Sequence, residues 1–220
     1  MSVSAVILAA GHGERMRTGV RKAFLELGGR PLFSHSVETF ARASGVSEIV
    51  IVVHCNDLDA ARSAVVSFAP RARIVAGGAT RRESSVAGVR AAKGEYVLIH
   101  DGCRPFASLG LIERVLDATK RRNAVVPVLP STDTLYRLDD ARIEDVPDRT
   151  SIARAQTPQG FRRSLILRCL ETADPAITDD ASAVFEAGGP VFTVEGDPSN
   201  LKVTVPEDLR WANAFHGHSE

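Results

Sequence analysis

The order of apolar and polar positions divides the chain into short β-branched runs and longer amphipathic segments. Near-continuous apolar runs, which predict strands covered on both faces, occupy residues 3–8, 48–53, 72–76, 96–99 and 124–128. Apolar residues at helical spacing, with polar residues on the other side, predict helices over residues 32–43, 58–68, 83–92 and 109–120. This alternation is typical of consecutive βαβ units.

Parallel strands joined by helices require right-handed crossovers, so the pattern predicts a doubly wound, three-layer α/β sandwich with a mostly parallel sheet. In such folds the ligand crevice lies beyond the carboxyl ends of the strands. A length of 220 residues favours one domain over residues 1–220. We therefore expect the functional residues directly after the strands.

The alternation stops after Pro130, and residues 131–154, here called the arm, are rich in charge and poor in apolar side chains. Such a segment is either a flexible loop or an extended hairpin that docks on a partner chain. Beyond it, the pattern predicts helices over 165–170 and 180–187, a strand over 191–194, and a last helix opened by Pro206.

Composition excludes several classes of function. Lys plus Arg total 27 and Asp plus Glu total 27, for a net charge of 0, which argues against a broad nucleic-acid-binding face or a polybasic membrane patch. No apolar run approaches the ~20 residues of a membrane span, and no secretory signal is recognisable. Cys55, Cys103 and Cys169 are too widely spaced for a disulfide framework or a zinc knuckle. We expect a cytoplasmic protein.

The first predicted strand leads into a glycine-rich turn with Gly11, Gly13, Arg15 and Lys22. Glycines allow backbone N–H groups to approach phosphate oxygens, and the two basic residues supply positive charge. The sequence is not a Walker A loop, and it lacks the third glycine of a dinucleotide fingerprint, which disfavours an oxidoreductase. An ordinary strand-to-helix turn is the alternative.

Asp101 follows the fourth predicted strand, where a carboxylate faces the crevice and suits Mg²⁺ that bridges substrate phosphates. Alternatively, this aspartate caps the helix near Ser108. Arg104 offers a planar fork for a phosphate or carboxylate, and His100 is expected to hydrogen-bond beside Asp101.

Two further segments are weaker signals. The loop of Gly77 and Gly78 precedes a helix and permits close backbone approach to a base, or it is only a surface loop with two arginines. Lys202 is predicted on an edge strand ahead of the last helix, where a lysine alone is most often solvated.

Together these motifs are more specific than any one of them. In chain order they comprise the glycine-rich turn with Arg15 and Lys22, Gly77-Gly78-x-x-Arg81-x-x-Ser84, His100-Asp101-x-x-Arg104-Pro105, Asp133-Thr134, Gln156 to Phe161, Thr178 to Ser182, and Lys202-Val203-Thr204. The sequence resembles the 2-C-methyl-D-erythritol 4-phosphate cytidylyltransferases over nearly its whole length.

The resemblance implies transfer of CMP from CTP to a sugar-alcohol phosphate, methylerythritol phosphate, with release of pyrophosphate. It also implies Mg²⁺ or another divalent cation as cofactor, and a homodimer formed through the arm. From the charge balance and the short apolar runs we expect no nucleic-acid or membrane partner. The implied CTP-binding residues are Ala9, Ala10, Gly11, Gly78, Ala79, Arg81 and Ser84, and the implied catalytic pair is Arg15 and Lys22. The implied substrate-binding residues are Asp101, which also binds the metal, Arg104, Thr134, Arg149, Thr178 and Lys202.

Thr134 and Arg149 lie in the arm, and the resemblance implies that they reach into the neighbouring subunit's site, which favours the hairpin over the loop. Some positions depart from the family pattern: Arg21 replaces a proline before Lys22, and Gly102-Cys103 replaces two alanines. The pattern explains no role for Arg21. A ribitol 5-phosphate cytidylyltransferase and a non-catalytic nucleotide-binding module remain as alternatives.

Overall fold

The computed structural model describes residues 1–11 and 20–217. Its strands are β1 (Val3–Leu8), β2 (Glu26–Leu27), β3 (Arg30–Pro31), β4 (Glu48–Val53), β5 (Arg73–Ala76), β6 (Tyr96–Asp101), β7 (Ala124–Pro130), β8 (Arg137–Asp139), β9 (Arg142–Asp145), β10 (Ala153–Ala155), β11 (Gln159–Arg162) and β12 (Phe192–Glu195). Its α-helices are α1 (Leu32–Arg42), α2 (Leu58–Val65), α3 (Arg81–Ala91), α4 (Leu109–Arg122), α5 (Arg163–Thr172), α6 (Asp180–Glu186) and α7 (Pro206–His216). Short 3₁₀-helices cover Lys22–Phe24, Cys55–Asp57 and Arg149–Ser151.

The main sheet has eight strands in the described part of the chain, in the order β10-β7-β11-β6-β1-β4-β5, and β12 also pairs with β7. The pairs β1–β4, β1–β6, β4–β5 and β7–β12 are parallel. β11 runs antiparallel between β6 and β7. The prediction of a mostly parallel sheet is confirmed, and β1 and β6 lie side by side near its centre.

Helices cover both faces of this sheet. Residues of α1, α2 and α4 pack with Ala5 and Ile7 of β1 in one apolar cluster. Residues of α3, α5 and α6 pack with Val6 in a second cluster. Because successive side chains of a strand point to opposite faces, a continuous apolar strand such as β1 supplies both clusters at once. The predicted three-layer sandwich is therefore confirmed.

The predicted strands and helices are present, with differences at their ends. β6 extends past the apolar run to Asp101, because His100 and Asp101 continue the parallel pairing opposite Ile7 and Leu8. The edge strand predicted at Lys202 is wrong: this residue lies in an irregular segment, where Val203 donates a backbone hydrogen bond to the Cys103 carbonyl at 2.9 Å. One such bond fixes the position of the segment without forming a ladder.

The arm contains a hairpin, as the resemblance implied. β8 and β9 pair antiparallel, with Leu138 opposite Ile143, and Asp140 takes a positive φ of 51° in the turn. The large apolar side chains of the arm are exposed: Tyr136 by 54%, Leu138 by 59%, Ile143 by 51% and Val146 by 56%. β10 then returns the chain to the main sheet beside β7.

Two observations concern the environment of the protein. No helix in residues 1–11 and 20–217 is both long and apolar enough to cross a membrane. Cys55, Cys103 and Cys169 are free thiols, the latter two buried.

Candidate active site

A cavity of about 230 Å³ opens where β1 and β6 end, and we call it the main cavity. Loops after β1, β5 and β6, together with the segment before α7, form its walls. The described residues that line it are Leu8, Ala9, Ala10, Gly11, Lys22, Ala23, Gly78, Ala79, Thr80, Arg81, Ser84, Asp101, Cys103 and Lys202. Three cationic side chains and one carboxylate are among them, so the described wall is suited to an anionic ligand.

Asp101, the last residue of β6, is the centre of this charge cluster. Its Oδ2 accepts a hydrogen bond from Lys202 Nζ at 2.9 Å, and its Oδ1 accepts one from Arg81 Nη2 at 3.2 Å. Arg104 Nε lies 3.9 Å from the same carboxylate. Burial alone would raise the pKa of Asp101, but Arg81, Lys202 and Arg104 hold it well below its usual range. The carboxylate is therefore ionised whenever the protein is folded at ordinary pH.

Arg81 links Asp101 to a second carboxylate. Its Nη2 also donates to Asp180 Oδ2 at 2.8 Å, and Asp180 is fully buried. Burial opposes the charge of Arg81, yet the two aspartates raise its pKa above the usual value. Arg81 begins α3 and Asp180 begins α6, so this bridge fixes the starts of two helices beside the main cavity.

A hydrogen-bond chain holds the end of β6 in place. The Asp101 amide donates to Thr157 Oγ1 at 3.0 Å, and Thr157 Oγ1 lies 3.1 Å from His100 Nδ1. His100 Nε2 lies 3.0 Å from the Arg104 carbonyl, which can only accept, so the hydrogen-bond network assigns the proton to Nε2. Burial lowers the pKa of His100 to about 4. The expectation that His100 hydrogen-bonds beside Asp101 is confirmed.

The alternative role for Asp101 as a helix cap is wrong. Ser108 itself caps α4, since its hydroxyl accepts a hydrogen bond from the Leu111 amide at 3.2 Å. Both carboxylate oxygens of Asp101 instead face the cationic groups of the main cavity.

The loop before α3 is held rigidly against the end of β1. A side chain at Gly77 would place its Cβ 2.7 Å from Ala10 Cβ, so only glycine permits this approach. Thr80 caps α3 by accepting from the Glu83 amide at 3.1 Å, and the Glu83 carboxylate accepts from the Ala79 amide at 2.7 Å. The Ser84 hydroxyl donates to the Thr80 carbonyl at 3.0 Å. This loop is thus ordered before any ligand arrives.

A second hollow of about 490 Å³ adjoins the main cavity and shares Lys202 with it. Arg104 lines this second hollow and donates from Nη1 to the Asn200 carbonyl at 2.8 Å, which holds the segment that carries Lys202. Thr132 and Arg154 also line it. The two hollows therefore meet at Lys202 and its partner Asp101.

The structure brings most of the sequence-predicted residues together. Those around the main cavity are Ala9, Ala10, Gly11, Lys22, Gly78, Ala79, Arg81, Ser84, Asp101 and Lys202. Arg104 lies in the second hollow, and Thr178 is exposed in the turn before α6. Thr134 and Arg149 are exposed in the arm, where Arg149 Nη1 donates to the Thr132 carbonyl at 3.2 Å. Gly13 and Arg15 lie outside the described residues.

Sequence reasoning missed residues that act through others. Asp180 lies in the motif from Thr178 to Ser182, which predicts no role for it, yet in the structure it is fully buried and binds Arg81. The sequence predicts no role for Thr157 or Asn200, because their hydrogen bonds reach groups far away in the sequence: Asn200 Nδ2 donates to the Thr157 carbonyl at 2.7 Å.

Comparison with known families decides the assignment. A family model described as 2-C-methyl-D-erythritol 4-phosphate cytidylyltransferase matches residues 3–217. The chain belongs to this family. The enzyme of that name from Geobacillus kaustophilus is 39% identical over 221 residues, which are 98% of this chain and 97% of that protein.

Other members of the family agree in sequence and in fold. The bifunctional enzyme IspD/IspF of Solidesulfovibrio magneticus is 43% identical over 223 residues, covering 95% of this chain and 56% of that enzyme. This chain thus spans little more than half the length of that bifunctional relative. The crystal structure of 4-diphosphocytidyl-2C-methyl-D-erythritol synthase from Anaerococcus prevotii superposes with a TM-score of 0.87 at 32% identity, covering 98% of this chain and 96% of that one.

Proposed function

We propose that this protein transfers CMP from CTP to 2-C-methyl-D-erythritol 4-phosphate, giving 4-diphosphocytidyl-2-C-methyl-D-erythritol and pyrophosphate, in the non-mevalonate route to isoprenoids. Membership of the family supports the reaction. The carrying observation is the junction at Asp101 and Lys202, where the main cavity, with its ordered glycine loop, meets a second hollow lined by Arg104. In this arrangement two anionic reactants reach each other beside fixed cations.

The charges of the reactants define what the site must do. CTP carries about four negative charges and the attacking phosphate nearly two, so their approach is opposed by repulsion that only nearby cations reduce. Lys22 lines the main cavity and supplies positive charge beside the triphosphate. Lys202 lies at the junction and would meet the incoming phosphate. The anchored positions of Arg81 and Lys202 mean that little reorganisation is needed when charge develops.

The reaction needs orientation more than a nucleophilic side chain. The attacking phosphate oxygen displaces pyrophosphate at the α-phosphorus of CTP, which requires the two groups to stand in line. The loop from Gly78 to Ser84 would hold the base, and the end of β1 would hold the phosphates by backbone groups. Lys22, together with Arg15, would stabilise the charge that develops on the equatorial and leaving oxygens. Cys103 lines the main cavity, but burial raises the pKa of its thiol, which disfavours the thiolate that a cysteine nucleophile needs.

Mg²⁺ fits this site as a companion of the nucleotide. No group of three or more His, Cys, Asp and Glu side chains in the described ranges is arranged to hold a metal ion, but Mg²⁺ is commonly bound by one carboxylate together with substrate phosphates. Asp101 is ionised and faces the main cavity, so its carboxylate is the ligand that we propose. The ion would neutralise phosphate charge when bound.

We also propose that the arm forms a homodimer. A two-stranded hairpin alone is marginally stable in water, and β8 and β9 expose Leu138 and Ile143 by more than half. A second copy of the chain that covers these side chains would remove apolar surface from water. It would also bring Thr134 and Arg149 towards the second hollow of the neighbouring subunit.

A pair of pyrophosphate-release assays tests the reaction. With CTP and Mg²⁺, we expect rapid release with methylerythritol phosphate and little with ribitol 5-phosphate. Faster turnover of ribitol 5-phosphate would replace the proposed substrate, and CTP binding without pyrophosphate release from either would favour a non-catalytic module. In the same assay Asp101→Asn should raise the Mg²⁺ concentration required for half-maximal rate, whereas Asp117→Asn, an exposed acid on α4, should not.

A further inference from the structure

Arg21, directly before the cavity residue Lys22, is anchored away from the main cavity. Its Nη1 donates to Asp57 Oδ1 at 2.9 Å, and its Nη2 donates to His54 Nδ1 at 2.9 Å. The exposed fractions of the two side chains in this ion pair are 25% for Arg21 and 16% for Asp57. Solvent therefore screens the pair less than it screens an ordinary surface ion pair.

The partners of Arg21 lie in the connection after β4. His54 directly follows that strand, and Asp57 ends the 3₁₀-helix Cys55–Asp57 that leads into α2. β4 is the parallel neighbour of β1. The ion pair therefore ties the end of the connection after β1 to the connection after the next strand of the sheet.

The backbone at Arg21 links the ion pair with Asp57 to the position of Lys22. Arg21 has an extended conformation, with φ −62° and ψ 134°, and its carbonyl accepts from the Phe24 amide at 2.8 Å. The Lys22 carbonyl accepts from the Leu25 amide at 3.2 Å. Arg21 is therefore the residue from which the 3₁₀-helix Lys22–Phe24 starts, and Lys22, its first residue, lines the main cavity. Holding Arg21 against Asp57 thus fixes the start of the helix that carries Lys22.

We propose that Arg21 is a positioning residue: its ion pair with Asp57 holds the backbone turn that delivers Lys22 to the reacting phosphates. This proposal rests on the proposed function for Lys22. The role is not that of a phosphate ligand, because the Arg21 guanidinium is bound to Asp57 and His54 and Arg21 is not among the described residues that line the main cavity.

The φ of −62° supplies a decisive variant, since proline fixes φ near this value. If the ion pair acts only by fixing the backbone, Arg21→Ala should lower kcat by about tenfold or more, as small misplacements of catalytic groups do. Arg21→Pro should restore much of that loss without any positive charge. The KM for CTP should change little in either variant, because the cation that is displaced, Lys22, acts mainly on the transition state.

Asp57→Asn should reproduce the defect of Arg21→Ala, and the double variant should be no worse than either single one, as expected for two residues that act as a unit. Asp59→Asn is the matched control: it removes one exposed acid from the same turn of α2 and should leave kcat unchanged. Additive defects in the double variant would overturn the proposal.

Hydrogen exchange separates this proposal from the proposed function. The Phe24 and Leu25 amides should exchange faster in Arg21→Ala and Asp57→Asn and return towards the wild-type rate in Arg21→Pro, whatever reaction the protein catalyses. Unchanged exchange in Arg21→Ala would refute the anchor. A raised KM for CTP that Arg21→Pro fails to restore would instead make Arg21 a direct phosphate ligand. If the wild type releases no pyrophosphate, the proposed function fails, but the exchange rates still test whether the ion pair of Arg21 and Asp57 holds the backbone turn.

Discussion

The main cavity and the arm differ in whether their functional groups are buried and paired within the chain or exposed to solvent. In the main cavity, Asp101 is buried and paired with Arg81 and Lys202 before any ligand binds. In the arm, the apolar side chains of β8 and β9 face solvent, and Arg149 makes only an exposed contact with a backbone carbonyl. The charged groups of the main cavity have their partners within the chain, whereas the apolar groups of the arm face solvent.

This difference separates two kinds of functional residue. Groups in the main cavity are held by hydrogen bonds and ion pairs that span long stretches of the sequence, such as the pair of Arg81 and Asp180. Their positions are set when the chain folds, which suits groups that must stabilise charge without reorganising. In the proposed homodimer the arm residues would be set only when a second copy docks, so their contribution should depend on assembly.

The strongest test removes the cation of the main cavity. Lys22→Ala should lower kcat by more than about a hundredfold, as the loss of a preorganised charge does, with a smaller change in the KM for CTP. Steady-state pyrophosphate release measures both. The matched control is Lys93→Ala. Lys93 is exposed and lies just before the amino end of β6, whereas the main cavity lies at the carboxyl ends of the strands. Near-normal turnover in Lys22→Ala would contradict its catalytic role.

Substitutions in the arm should lower activity by a different route, the loss of the dimer. Replacing both Leu138 and Ile143 with Asp places charge on the surface that we expect a second copy to cover, so the variant should sediment as a monomer. Its kcat/KM for methylerythritol phosphate should fall by roughly tenfold or more, because orienting groups are lost. Val66→Asp, at an exposed apolar residue just after α2, should remain a dimer. A wild-type protein that is monomeric and active would contradict the proposal that the arm acts through a second subunit.

The sequence predicted the two regions unequally well. Continuous apolar runs gave the strands of the sheet and, through the rule for crevices in such sheets, the location of Lys22 and Asp101. Pairing of charges was not visible, because Arg81 meets Asp180 from 99 residues away, and nothing local links Arg21 to Asp57. In the arm the residues alone left loop and hairpin open, since its strands carry few apolar positions and their pairing buries little surface.

A smaller effect, on KM, tests whether one residue from each region binds the same reactant. Lys202→Ala and Arg149→Ala should each raise the KM for methylerythritol phosphate several-fold more than that for CTP, because both residues would meet the sugar phosphate. Initial-rate assays with each substrate varied in turn measure this. Equal increases for both substrates would contradict the assignment.

Mixed dimers distinguish whether Arg149 acts within its own chain or across the interface. When Lys22→Ala and Arg149→Ala subunits are mixed and assayed at low substrate, action across a two-fold dimer predicts recovery of about a quarter of the wild-type rate, from one intact site in each mixed dimer. Action within the chain predicts no recovery beyond the average of the two variants. The contact of Arg149 with Thr132 in its own chain makes this control necessary.

The last prediction concerns stability, through the pH dependence of the buried network behind Asp101. Burial lowers the pKa of His100 from 6.5 to about 4. Between pH 6.5 and pH 4 the unfolded chain therefore binds a proton at His100 that the folded protein does not bind. The free energy of unfolding should therefore fall as the pH falls through this window, by up to about 3 kcal/mol from this residue. Chemical denaturation of wild type and His100→Gln at pH 7 and pH 4 measures it, and the variant should lose less stability. An NMR titration in which the His100 ring gains its proton near pH 6.5 would contradict the prediction. Such a result would mean that the hydrogen bonds from Arg104 through His100 and Thr157 to the Asp101 amide open in the folded protein. The main cavity would then not be fixed before ligand binding, and the contrast with the arm would fail.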